Sequence, residues 1–202
     1  MPPLQRRKQI DRSTQTRQQL VAAAIVILCR EGFGHATTAT IAARAGVTTG
    51  ALHHHFPSKD DLLFGVLDHL AERIVLQFGS FGMADRGKEI ELHRLIQQLW
   101  AVYGDEQYWA IWEIIIATRA DARLHERMVQ HRERTMEAFH QAWLSMHPKL
   151  LRVDRRTADA FELLLVSIRG LCLERFLKSD DAFFQRQLSL LAKTIAPLLT
   201  TG

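Results

Sequence analysis

Cysteine, proline and long apolar runs are all scarce in this 202-residue chain, and each shortage removes a class of protein. The two cysteines, Cys29 and Cys172, lie far apart, each within an apolar helical pattern. That excludes a disulfide framework and points to buried thiols in a reducing compartment. The longest apolar run, Leu20 to Cys29, is about half of the roughly 20 residues a bilayer-spanning helix needs, so no membrane partner is expected. At the start, MPPLQRRKQIDRST, the basic residues have no apolar stretch of signal-peptide length behind them, because Asp11, Arg12 and Arg17 interrupt it. A cytoplasmic location is expected. Glycine and proline are sparse after Pro57, and apolar residues recur every three or four positions rather than alternating, so strands are not expected. No nucleophile sits in a turn with a base assigned to it, and no glycine-rich phosphate loop follows a strand, so neither an enzyme nor a cofactor is expected.

What the chain has is an uneven distribution of charge over an all-helical pattern. Residues 1–59 hold eight basic and two acidic residues, a balance of +6, while the remaining 143 hold 18 and 20. A polyanion would meet only the N-terminal third. Residues 1–13 are expected to be a disordered basic arm. A first helix then buries Leu20, Val21, Ala24, Ile25 and Leu28 and stops at Gly32, with Phe33 as a core plug. A second helix is expected from Thr38, the candidate N-cap, to Gly46. A third, capped by Thr48, ends at Phe56 because Pro57 disfavours helix in the residue before it. Ser58 caps a fourth, whose first turn carries Asp60 and Asp61. Further helices are expected over about 88–103, 105–119, 121–146, 156–178 and 181–199.

The stretch TATIAARAGVTTGALHHHF has the logic of a helix-turn-helix. Two helices too short to be stable alone must share a small core. Ala42 permits close approach, Gly46 supplies the turn, and Ile41, Val47 and Leu52 fill the space. Ala42, Gly46 and Leu52 stand at the motif's spacing of four and six. Through these residues the sequence resembles the tetracycline-repressor (TetR) family. The resemblance runs from Thr16 to Leu70 and includes GF at 32 and 33, TTATIAARAGV at 37–47, GALHHHF at 50–56 and PSKDDL at 57–62. It implies an all-α homodimer with an N-terminal three-helix DNA-binding domain (14–60) and a C-terminal helical domain (61–202) that binds a ligand and dimerises. By the same resemblance, Thr38 starts the second helix against the DNA backbone, Thr48, Thr49, Gly50 and Ala51 face base edges, and His53, His54 and Lys59 lie near phosphates. The family often has Lys where this chain has Thr49 and Tyr where it has His53. Three successive histidines do not make a metal site, since successive helical residues point about 100° apart and cannot converge on one ion.

In the C-terminal half, Trp100, Tyr103, Tyr108, Trp109, Trp112, Met136, Phe139, His140 and Trp143 crowd the expected helices, with Glu113, Arg119, Arg123 and His140 as polar candidates. As a group they suggest an apolar or aromatic effector. A dimer surface is expected from Phe161, Leu164, Leu165, Ile168, Leu171, Phe184, Leu188, Leu191 and Ile195, although the same residues would serve to close the monomer core. The leading expectation is a repressor released from a double-stranded operator by a small molecule. The alternatives are a DNA-binding structural or division-control protein of the same fold without an inducer, and a small enzyme or carrier using the aromatic residues.

Overall fold

A computed structural model describes residues 3–79, 88–146 and 155–199, and among these residues there is helix and turn but no strand. Helix α1 spans Pro3–Glu31. It starts ten residues before the expected end of the N-terminal arm, because neither glycine nor proline interrupts the chain between Pro3 and Gly32 and proline is well tolerated in a first helical turn. The helix ends at Gly32, which takes the left-handed φ of 80°. After a 3-10 turn at Phe33–His35 come α2 (Thr38–Arg44), α3 (Thr49–His55) and α4 (Lys59–Gly79), then α5 (Lys88–Tyr103), a second 3-10 turn (Glu106–Tyr108), α6 (Trp109–Thr118), α7 (Ala122–Met146), α8 (Arg155–Glu174) and α9 (Asp181–Leu199).

The described residues form two compact units, and each is discontinuous in sequence. The first unit comprises the chain to Leu70 together with Glu106–Met128; the second comprises Ala71–Asp105 and the chain from Val129 onward. This cuts the chain differently from a division at residue 60. Helix α6 joins the first unit because Ala110, Ile111 and Ile114 are buried in a sequence, WAIWEIII, that is apolar nearly all round, and the helix packs on α1.

Within the first unit, α1 buries Leu20, Val21, Ala24, Ile25, Ile27 and Leu28, and α4 adds Leu62, Leu63, Val66 and Leu67. Helix α2 is capped by Thr37, one residue before the expected Thr38. The Thr37 hydroxyl accepts from the Thr40 N–H (3.1 Å) while the Thr37 N–H donates to the Thr40 hydroxyl (3.0 Å). This reciprocal pair satisfies two backbone donors at once. Gly46, at φ 70°, makes the turn to α3, where the Thr48 hydroxyl accepts from the Ala51 N–H at 3.1 Å. Ile41, Ala42, Leu52 and Phe56 close the small core between them. The Phe56 ring lies against Gly65 of α4, where a Cβ would come within 2.7 Å of it.

In the second unit, α5 contributes Leu92, Leu95, Ile96, Leu99, Val102 and Tyr103 to a core completed by Phe139, α8 and α9. Seven residues expected to meet a second copy, Phe161, Leu164, Leu165, Ile168, Phe184, Leu188 and Ile195, are instead buried in this core, while Leu171 and Leu191 are half-buried. The buried set recurs at three, one and three residues along α8 and so occupies one side of the helix. The large apolar residues left exposed lie on the other side: Leu163, Val166 and Leu173, with Leu177 in the turn just beyond α8. The Cys172 thiol is buried and donates to the Tyr103 carbonyl at 2.6 Å.

Candidate nucleic-acid interface

The interface begins with what holds α3 in place. Leu52 is fully buried beneath it and Ala51 is half-buried, so one side of the helix is committed to the core. Thr48, Thr49 and Gly50 at its start, and His53 and His54 toward its end, are exposed. Thr38 is half-buried in the first turn of α2. The expected DNA-facing residues of α3 are therefore gathered on one short helix, at the surface, with side chains able to offer hydroxyl, methyl and imidazole groups.

The three histidines differ. The Nδ1 of His53 lies 3.3 Å from the Pro57 carbonyl oxygen. The rings of His54 and His55 meet edge to face, 5.4 Å between centroids. His55 is half-buried, and burial first, then the neighbouring His54 and Arg17, hold its pKa below the ordinary histidine value. The Arg17 guanidinium lies 4.8 Å above the Phe56 ring.

Lys59, expected near a phosphate, is folded back onto the protein. Its ammonium lies 4.0 Å from the centre of the Phe33 ring and 3.5 Å from the Phe33 carbonyl. Partial burial there lowers its pKa, against an opposing effect of Asp60. Phe33 is accordingly half-exposed beneath this cation; Ala36, three residues on, is the buried plug.

Sequence reasoning missed the polar links that fasten α6 and the first turns of α7 into the first unit. A Glu113 carboxylate oxygen accepts the Phe33 N–H at 3.0 Å, so this side chain, expected on an effector, holds the turn between α1 and α2. The Ser58 hydroxyl accepts the Asp61 N–H (3.1 Å) and donates to the Asp61 carboxylate (2.7 Å). That hydroxyl, reinforced by Arg127 at 3.2 Å, keeps Asp61 below the usual carboxylate range despite burial. Arg123 pairs with Asp60, and Arg127 also covers the Phe64 ring at 4.2 Å. Arg123 was expected as a polar effector contact; that it and Arg127 reach Asp60 and Asp61, more than sixty positions away, left no trace in the local sequence.

The expected effector residues fall into both units. Trp109 and Trp112 are half-buried in the first unit, with Glu113. In the second, Tyr103 and Phe139 are buried, Met136 and His140 are half-buried, and Trp100 stacks on Phe184 at 5.3 Å with Arg175 at 5.5 Å. His140 lies 6.5 Å from Phe161. The Trp143 side chain lies outside the described residues. Trp100 and Tyr103 of α5 thus belong to the second unit and Trp109 and Trp112 of α6 to the first. Among the described residues no group of three histidine, cysteine or acidic side chains is placed to hold a metal, and no helix is long and apolar enough to cross a membrane.

Residues 20–66, from the apolar face of α1 to the first turns of α4, match the model of bacterial regulatory proteins of the tetR family. Over 133 residues the chain is 30% identical to the HTH-type transcriptional regulator TtgW of Pseudomonas putida, a stretch covering 65% of this chain and 96% of that protein. This chain belongs to the TetR family. A longer alignment, 183 residues at 27% identity and covering 90% of this chain and 89% of the other, joins it to the HTH-type transcriptional regulator CymR of Pseudomonas putida. The fold is that of Salmonella enterica GusR, with a TM-score of 0.69 at 20% identity over 92% of this chain and 95% of that one. The TetR-type match contains every residue placed at the candidate interface, from Thr38 to Lys59. These relatives are transcription regulators, and this chain is a DNA-binding regulator of the same type; a shorter stretch of 95 residues is 30% identical to the nucleoid occlusion factor SlmA of Vibrio vulnificus, covering 46% of this chain and 47% of that protein.

Proposed function

We propose that this regulator is a repressor that binds a near-palindromic operator as a homodimer and is released by a small apolar or aromatic ligand held by its C-terminal helices. The observation that carries the DNA-binding part is the exposure of Thr48, Thr49 and Gly50 at the start of a recognition helix that is pinned from below by Leu52. An α-helix fits the major groove, where a threonine hydroxyl can reach a base edge and a threonine methyl can touch a thymine methyl. His53 and His54 then lie toward the backbone, where contacts fix register rather than sequence. In a two-fold dimer the paired recognition helices meet half-sites about 34–36 Å apart or somewhat more.

The surface that supports dimerisation is the exposed apolar stripe of α8, Leu163, Val166 and Leu173, continued by Leu177. The spacing of three and seven residues keeps Leu163, Val166 and Leu173 on one face of α8, as a self-complementary helix seam requires, and Leu177 follows in the turn at its end. The effector part rests on the half-buried Trp100, Met136 and His140 of the second unit. A ligand can release DNA only through different affinities for the bound and released arrangements, and tenfold release needs about 1.4 kcal/mol of coupling.

The test is selection of duplexes from a random-sequence pool, then the same selection with Thr49→Ala. The variant should shift the preferred base at one symmetric pair of positions. No enriched sequence with the unaltered protein would overturn the reading. Tryptophan fluorescence then screens ligands, and each hit is judged by operator affinity with and without it. A hit that binds without changing operator affinity counts against release.

A further inference from the structure

His53 offers a chemistry that the DNA-binding reading does not by itself contain. A carbonyl oxygen only accepts, so the 3.3 Å contact between His53 Nδ1 and the Pro57 carbonyl requires Nδ1 to carry the hydrogen. In the neutral ring Nε2 is then a bare lone pair. His53 is exposed, and a phosphate oxygen, itself an acceptor, is repelled by that lone pair. Once the ring is protonated Nε2 becomes a donor and the ring a cation, and the same contact becomes a charge-assisted hydrogen bond. A tyrosine or lysine at this place would donate at any pH near neutrality. Histidine is the side chain whose charge ordinarily changes between pH 5 and 8.

We propose that His53 makes operator binding proton-linked: the protein takes up a proton on the His53 imidazole of each protomer as it engages the DNA backbone, so that it grips DNA more tightly as the pH falls. This rests on the DNA-binding reading above and adds to it the condition under which the contact forms.

The surroundings allow it. Of the charged groups on the elements packed against α3, Glu31 of α1 and Arg44 of α2 face each other at 4.0 Å, Asp60 and Asp61 at the start of α4 are paired with Arg123 and Arg127, and Lys59 is held over Phe33. Arg17 of α1 lies over Phe56 and acts on His55. On α3 itself His54 and His55 are engaged ring to ring. Among the described residues, Glu31, Asp60 and Asp61 thus each face an arginine, and the phosphate supplies the counter-charge that a protonated His53 needs. A complex that holds a proton the free protein lacks must strengthen as protons become more plentiful.

The experiment uses the full chain and one duplex, selected from a random-sequence pool by the unaltered protein at pH 6.5. Affinity for it is measured by fluorescence anisotropy from pH 8 to pH 6 at constant ionic strength, for the unaltered protein, H53Y and H53Q, with circular dichroism confirming that the variants are folded. The unaltered protein should tighten by at least about tenfold over this range, with an uptake approaching two protons per dimer, and both variants should change by less than about twofold. Nitrogen-15 spectra of the imidazole should show Nε2 gaining a hydrogen when the duplex is added at pH 7. If H53Y and H53Q keep the full pH dependence, or if H54Q removes it and they do not, the assignment to His53 is overturned. Binding that is tight and independent of pH overturns the proton linkage and leaves DNA binding intact. If no duplex is enriched at all, the DNA-binding reading fails and this inference fails with it.

Discussion

Leu177→Glu tests the dimer surface where it is most exposed. Leu177 is 84% exposed, Leu163 50%, Val166 49% and Leu173 36%. Together they equal about two fully exposed aliphatic side chains per protomer, and burying each such side chain is worth about 1.5–3 kcal/mol. A symmetric interface counts them twice, giving about 6–12 kcal/mol of gross stabilisation against an association cost of about 4–15 kcal/mol. The stripe alone therefore suffices only marginally, and losing any large part of it should be visible. Replacing Leu177 removes about 2.5–5 kcal/mol over the two copies before the cost of burying two carboxylates is added. Dimer affinity should fall by at least about 10²-fold. Sedimentation equilibrium over a concentration series gives the constant directly. Leu76→Glu, at another exposed leucine but on α4, is the control and should leave it unchanged. A folded Leu177→Glu protein that dimerises within about twofold of the original would refute the assignment of this face.

Three further outcomes are expected from contacts in the first unit. Glu113→Ala removes the acceptor for the Phe33 N–H and should lower stability by about 1.5–3 kcal/mol, read as a shift in the urea midpoint, while Glu113→Gln keeps most of it. Thr37→Ala should cost about 1 kcal/mol through loss of the α2 cap, whereas Thr38→Ala should leave the urea midpoint nearly unchanged and weaken DNA binding; equal stability losses would show that the capping role is misplaced. Gly65→Ala drives a methyl to within 2.7 Å of the Phe56 ring and should destabilise the protein by about 1–3 kcal/mol, measured as a drop in Tm.

The sequence was most informative where one short-range rule decided the outcome. The spans of α5 and α9 coincide with the expected 88–103 and 181–199, since each is bounded by turn residues and carries one apolar stripe. The Thr48 and Ser58 caps were legible because a hydroxyl three residues before a backbone N–H needs no distant partner. The cap of α2 was missed by one residue because Thr37, Thr38 and Thr40 offer competing hydroxyls, and only the reciprocal pair shows which is used.

Long-range choices were not legible. Helix α8 is apolar on two sides, and periodicity alone does not say which side is interior; it was the side bearing Phe161, Leu164, Leu165 and Ile168 that the chain kept for itself. Glu113 is surrounded in sequence by tryptophan and isoleucine, a setting that resembles a polar group in a binding pocket. Its partner, the Phe33 N–H, is eighty positions away and leaves no trace in the local pattern.

Because the first unit is assembled from two stretches separated by Ala71–Asp105, cutting out the DNA-reading part as a continuous fragment removes α6 from it. A chain cut after Leu70 would lack Ile111 and Ile114, leaving the part of α1 that packs on α6 bare to water, and would lack the carboxylate that closes the turn at Phe33. During synthesis the same geometry imposes an order: α1 to α4 leave the ribosome early, yet the part of α1 that packs on α6 stays uncovered until α6 follows, at Trp109, well after α4 begins at Lys59. At a synthesis rate of about 5–20 residues per second that is an interval of roughly seconds, long compared with helix formation. A truncated or stalled chain would thus present apolar surface that the complete fold covers.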